Sequence, residues 1–195
     1  MRESENISGL LALKPDFIGF IFYDKSKRFV ADFPQIEIPS TTKKVGVFAN
    51  ETIEEIIEKV NQHTLDFVQL HGNETQEYCS ALSAKNIKII KAFSVGENFD
   101  FNATLLFEKH VSLFLFDTKG KNYGGNGIKF NWDLLQNYTG KIPFLLSGGI
   151  SINDAEEIKK FKHPAFLGID INSGFELEPG LKNIKEIKEF KSLLL

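Results

Sequence analysis

The chain is poor in several residue types: among 195 residues it has one cysteine, one tryptophan, one methionine and six prolines. A single cysteine, Cys79, excludes an intrachain disulfide framework and a cysteine-cluster metal site. Long hydrophobic runs are also missing. No stretch reaches the ~18 apolar residues that a membrane helix needs. The first apolar run, Leu10 to Leu13, is too short for a secretory core. A basic surplus is absent too: 23 Lys and Arg against 26 Asp and Glu leave a net charge of −3. Nothing in that balance draws nucleic acid. The reading is a protein of the reducing cytoplasm with no membrane or nucleic-acid partner. What the chain does have is core volume. It is 42% hydrophobic and carries 19 phenylalanines, which excludes disorder.

Two kinds of segment alternate. Short runs rich in Phe, Ile and Val cover residues 16–22, 44–49, 66–70, 88–93, 112–117, 143–147 and 165–171. They have strand length and are apolar on both faces, as in a buried parallel sheet. Charged stretches of helical period lie between them. In 52–61, Ile53, Ile56, Ile57 and Val60 fall on one face and the glutamates on the other. Residues 3–13, 75–85, 98–109, 153–161 and 183–193 read the same way, and 130–138 is a shorter candidate. Prolines interrupt 31–40, so any helix there is short or absent.

Strand then helix, repeated, predicts βα units and a parallel sheet. No linker divides the chain, so residues 1–195 read as one α/β domain, a (β/α)8 barrel or a doubly wound open sheet. Seven strands are visible and the chain opens on a helix. A barrel of this class has ~250 residues, with ~200 near the floor. The expectation is therefore a barrel lacking its first strand, with unpaired edges at 16–22 and 165–171. Those edges could also pair two copies into a homodimer.

Function in either fold lives at the carboxyl ends of the strands. Ser147-Gly148-Gly149-Ile150 leaves a strand and enters a helical stretch, which suits a phosphate as well as it suits a tight turn. Asp170-Ile171-Asn172-Ser173-Gly174 follows the last strand and can complete a phosphate cup. Asp117 ends an apolar strand, the setting of a general acid, although a random Asp there is more often structural. The glycine-rich run from Thr118 to Gly127 reads as a mobile lid or as plain flexibility. Gln69 and His71 flank Leu70 and share a strand face. Arg28 closes the charge run Lys25-Ser26-Lys27-Arg28, which is solvated surface or a fork for a substrate carboxylate. Cys79 falls inside a helical stretch, the wrong place for a barrel nucleophile.

These segments jointly resemble phosphoribosylanthranilate isomerases. The resemblance is carried by Gly19 through Arg28, Lys44-Val45-Gly46-Val47-Phe48, Val68-Gln69-Leu70-His71-Gly72 and Phe116-Asp117-Thr118-Lys119. Leu146 through Ile150, Asp170 through Glu176 and Pro179-Gly180 complete it, in order, out to about Asn183. It implies a (β/α)8 barrel with no metal or organic cofactor and a small phosphorylated substrate. The implied reaction is the Amadori rearrangement of N-(5-phosphoribosyl)anthranilate in tryptophan biosynthesis. By resemblance, Asp117 is the general acid and Arg28 binds the anthranilate carboxylate. Gly148, Gly149, Ser173 and Gly174 form the phosphate loops, while Gln69, His71 and Asp170 line the pocket.

One departure stands out. The family's general base is a cysteine ending the first strand, in a Lys-x-Cys-Gly-Met-Arg-like motif. Met1-Arg2-Glu3 aligns with the end of that motif, so strand and base are expected to be missing and turnover impaired. Rival readings are a non-catalytic sugar-phosphate-binding barrel, an indole-glycerol-phosphate synthase using Lys91 or Lys119, and a pentose-phosphate epimerase. The last needs metal ligands that His63, His71, His110 and His163 do not supply.

Overall fold

The computed structural model describes residues 1–118 and 130–195. Most of the glycine-rich run after Asp117, and Lys119 with it, lies outside those residues.

Seven strands form one parallel sheet in the order of the sequence. They are β1 (Phe17–Ile21), β2 (Lys43–Phe48), β3 (Phe67–Leu70), β4 (Ile89–Val95), β5 (Leu113–Thr118), β6 (Phe144–Leu146) and β7 (Phe166–Ile169). Every neighbouring pair is parallel and the order never reverses, which is the order of a (β/α) barrel and not of a doubly wound sheet, with β1 and β7 at its two edges. All seven expected strands are present, and the expected edges are the observed ones.

Period two divides each strand between two cores. Val45, Ile90, Ala92, Leu113, Leu115 and Leu145 point to the inner face. Val68, Leu70, Phe114, Phe116, Phe144 and Leu146 point outward, toward the helical layer. Phe116 meets Phe144 at 5.2 Å and Tyr138 at 5.4 Å, edge to face, the arrangement that ring quadrupoles favour. The many phenylalanines therefore fill the layer outside the sheet.

The α-helices are α1 (Ser4–Leu11), α2 (Ile53–His63), α3 (Gln76–Ser83), α4 (Ala155–Lys160) and α5 (Ile184–Leu194). In α2 the Thr52 hydroxyl accepts from Glu55 N at 3.3 Å, and Glu55 accepts from Thr52 N at 2.9 Å, a reciprocal cap. Ile56 is fully buried. No helix forms in the proline-bearing stretch 31–40.

Two expected α-helices are 3-10 helices instead, Phe101–Phe107 and Trp132–Asn137. Asn, Thr and Phe are weak helix formers. The side chains of Asp100 and Asn131 accept from the amides two residues on, and that local bond competes with a longer helix. The stretch 153–161 opens as a 3-10 turn, Ile152–Asp154, before α4 begins. A small antiparallel hairpin, β8 (Glu176–Glu178) and β9 (Leu181–Lys182), was not expected. Its strands are too short for an alternating pattern to show.

Among the described residues, no helix is long and apolar enough to cross a membrane.

Candidate active site

The inner face of the sheet sets the site. Gln69, His71, Asp117 and Ser147 keep the parity of the inward residues Val45, Leu115 and Leu145, and they stand at the carboxyl ends of β3, β5 and β6. There they meet the loops that follow β1 and β7. The result is a cavity of about 860 Å³ lined by Arg28, Gln69, His71, Asp117, Gly148, Gly149, Asp170, Ser173 and Gly174, among others. All nine residues singled out from the sequence reach this one space.

Gln69 Nε2 lies 3.1 Å from His71 Nδ1, and His71 Nε2 lies 3.1 Å from Asp117 Oδ2. An amide nitrogen only donates, so Nδ1 accepts and the imidazole proton sits on Nε2, donated to Asp117. The other Asp117 oxygen accepts from Thr118 N at 2.8 Å. Asp117 is 5% exposed. The relay therefore fixes a buried carboxyl at the wall of the cavity.

The two glycine loops touch. Gly148 and Gly149 have φ of +93° and +68°, a region that glycine enters at little cost. A Cβ on Gly148 would stand 2.5 Å from Thr118 N and 2.7 Å from Asp117 Oδ1. A Cβ on Gly174 would run into the carbonyl oxygen of Ile150. The turn Ser173–Phe175 thus rests on the loop after β6, and the loop after β6 rests on Asp117.

Asp170 accepts from the Ser147 hydroxyl at 3.0 Å. Burial pushes its carboxyl above the ordinary value of 3.8, helped by the Asp117 charge and opposed by Ser147, Lys182 and His71. As pH rises through that interval the unfolded chain releases this proton while the folded protein keeps it, so stability falls. Asp170→Asn removes the term. Its stability relative to the unmodified chain is expected to improve as pH rises above about 4. Urea denaturation across a pH series checks this. A difference that does not change with pH contradicts it.

Arg28 is held in its loop by its own amide, which donates to the Ser26 hydroxyl at 3.1 Å. Its Nε and Nη2 both reach Glu176 Oε2 at 2.7 Å. The fork expected for a ligand is therefore partly taken by a protein carboxylate. Lys182 pairs with the other Glu176 oxygen at 3.2 Å. Neither Glu176 nor Lys182 was assigned a role from the sequence, because the hairpin that joins them was not visible there. The amino group of Met1, which also lines the cavity, is held down to about 5 by burial and by the Lys182 charge.

Other candidates fall elsewhere. Cys79 is buried in α3, where burial pushes its thiol up to about 11, and it does not line the cavity. Lys91 is buried against Glu74 at 2.9 Å. His63 stacks on Phe33 at 4.2 Å, and His163 Nε2 lies 2.9 Å from the Tyr138 carbonyl. Among the described residues, no group of three or more His, Cys, Asp and Glu could hold a metal ion.

A family model described as N-(5'phosphoribosyl)anthranilate (PRA) isomerase matches residues 1–192. The chain belongs to the phosphoribosylanthranilate isomerase family. It is 48% identical to the Parabacteroides distasonis N-(5'-phosphoribosyl)anthranilate isomerase over 200 residues, covering all of this chain and 90% of that protein. The Phocaeicola vulgatus enzyme is 42% identical, with 97% of this chain and 92% of that protein covered. Among solved isomerases, that of Thermotoga maritima superposes with a TM-score of 0.85 at 32% identity, covering all of this chain and 95% of the other. Another, in complex with reduced 1-(o-carboxyphenylamino)-1-deoxyribulose 5-phosphate, gives 0.83 at 30% identity, covering all of this chain and 94% of the other. The sheet seen here is thus the phosphoribosylanthranilate isomerase barrel sheet.

Proposed function

We propose that the chain is one domain that binds N-(5-phosphoribosyl)anthranilate and takes part in its isomerisation in cytoplasmic tryptophan biosynthesis. The observation that carries this reading is the contact of three elements: the Asp117 carboxyl, the Gly148-Gly149 loop and the Ser173-Gly174 turn, all at one cavity that Arg28 also lines. A substrate with a carboxylate at one end, a phosphate at the other and a furanose between suits that spacing of groups.

Asp117 delivers a proton to the furanose ring oxygen. The C1–O bond breaks as the anilino nitrogen lone pair forms the C1=N iminium. Loss of the C2 proton to water then gives an enolamine, whose tautomerisation places a ketone at C2 and a secondary amine at C1. Arg28 takes the anthranilate carboxylate, and the two glycine loops take the phosphate. Gln69 and His71 hold Asp117, and Asp170 with Ser147 shapes the wall between them. The single cysteine sits in α3 away from the cavity, so no thiol accepts the C2 proton among these residues. Turnover by the 195 residues is therefore expected to be weak. Asp117→Asn is expected to lower it by a further hundredfold or so. A steady-state assay of both chains checks this, and undiminished turnover in Asp117→Asn overturns the acid assignment.

The open edges β1 and β7 support self-association of this chain, and one solved relative is described as monomers of a dimeric isomerase.

A further inference from the structure

Glu176 joins the two ends of the cavity. Its Oε2 accepts from Arg28 Nε and Nη2, both at 2.7 Å. Its Oε1 accepts from Lys182 Nζ at 3.2 Å and from Gly180 N at 3.2 Å. Lys182 Nζ also donates to the Asn172 carbonyl at 3.0 Å and to Asn172 Oδ1 at 2.7 Å. One chain of charge-assisted bonds thus runs from Arg28, through a single carboxylate, to the residue before the Ser173-Gly174 turn. The side chains of Glu176 and Lys182 are 4% and 9% exposed, so water competes little for these bonds.

The hairpin makes this possible. Glu176 on β8 is registered against Lys182 on β9, which puts both side chains on one face as a cross-strand pair. Asn6 fixes the same position from α1: its Oδ1 accepts from Lys182 N at 2.8 Å, and its Nδ2 donates to Lys182 O at 2.8 Å. Lys182 cannot slide without breaking five bonds.

We infer that Glu176 is a positioning residue that fixes the carboxylate-binding end and the phosphate-binding end of the cavity relative to each other, by aiming Arg28 directly and the 172–174 turn through Lys182. Its chemistry serves a ligand anionic at both ends. Within this cluster two cations face one carboxylate, and the rigid link keeps the span between the ends constant. This rests on the reading of Arg28 and the Ser173-Gly174 turn given above.

Glu176→Gln keeps the shape and removes the charge. Lys182→Met cuts only the branch to the turn. Two readouts separate the inference from the function it rests on. The first needs no ligand: the Arg28 Nε–H and the 172–174 backbone amides are followed by nuclear magnetic resonance. Glu176→Gln is expected to move both sets, and Lys182→Met only the amides. The second is affinity for anthranilate, for inorganic phosphate and for the reduced product analogue. Glu176→Gln is expected to weaken all three, the analogue by about tenfold or more. Lys182→Met is expected to weaken phosphate and the analogue but not anthranilate. If either set of resonances stays put in Glu176→Gln, the link is refuted. If the resonances move as stated but the unmodified chain binds none of the three ligands, the positioning holds and the proposed function fails.

Discussion

Replacing Lys91 by methionine is expected to destabilise the folded chain by about 3–5 kcal/mol, the cost of leaving one member of a buried ion pair alone. Lys91 and Glu74 meet at 2.9 Å with side chains 3% and 2% exposed. Lys91 Nζ also donates to the carbonyls of Leu70 and Gly72, on either side of His71. Glu74 in turn accepts from the amides of Asn50 and Gly72. The substitution strands a buried carboxylate and takes a donor from two carbonyls at once. Adding Glu74→Gln to Lys91→Met removes the stranded charge and keeps an acceptor for both amides. The double variant is therefore expected to recover most of the loss, as buried pairs replaced together often do. Chemical denaturation of the two single variants and the double one checks this. Lys91→Met costing less than about 1 kcal/mol, the range of a surface ion pair, contradicts the pairing. Because the pair grips the backbone around His71, the same variant is expected to loosen the hold on Asp117.

Gly174→Ala carries the second large effect. The added methyl meets the carbonyl oxygen of Ile150, a backbone atom that cannot rotate aside. Either the Ser173–Phe175 turn lifts from the loop after β6, or that loop shifts against Asp117. Both moves open the phosphate cup. Affinity for the reduced product analogue is expected to fall by about a hundredfold, close to 3 kcal/mol. Affinity for anthranilate alone, which uses the Arg28 end, is expected to stay within about twofold. Calorimetric titration with the two ligands separates these outcomes. Equal loss for both means general unfolding rather than damage to the cup.

Much of this was legible in the sequence because the strands are short, apolar and evenly spaced. Each expected strand is present, and the residues at the strand ends share a cavity because period two fixes which side chains face inward. Gln69 and His71 could be placed by parity, and Asp117 by its position at the end of an apolar strand. What stayed hidden depends on long-range pairing. Nothing near Arg28 in the chain announces Glu176, which is 148 positions away. The hairpin of β8 and β9 is held by Asn6 and by cross-strand charge rather than by apolar alternation, so it left no periodic signal. Residues 101–107 carry helical spacing, but local side-chain caps and poor helix formers hold them in a tighter coil. Lys91 reads in the sequence as a possible lysine for the rival synthase, which the remaining residues do not fit. It is committed to Glu74 and to the backbone around His71.

The account stands most directly on whether the 195-residue chain binds reduced 1-(o-carboxyphenylamino)-1-deoxyribulose 5-phosphate. Titration calorimetry on the unmodified chain is expected to show one ligand per chain, micromolar or tighter, displaced by inorganic phosphate and weakened in Gly174→Ala. No heat of binding, or binding indifferent to both phosphate and Gly174, would contradict a sugar-phosphate site at the rim of this sheet.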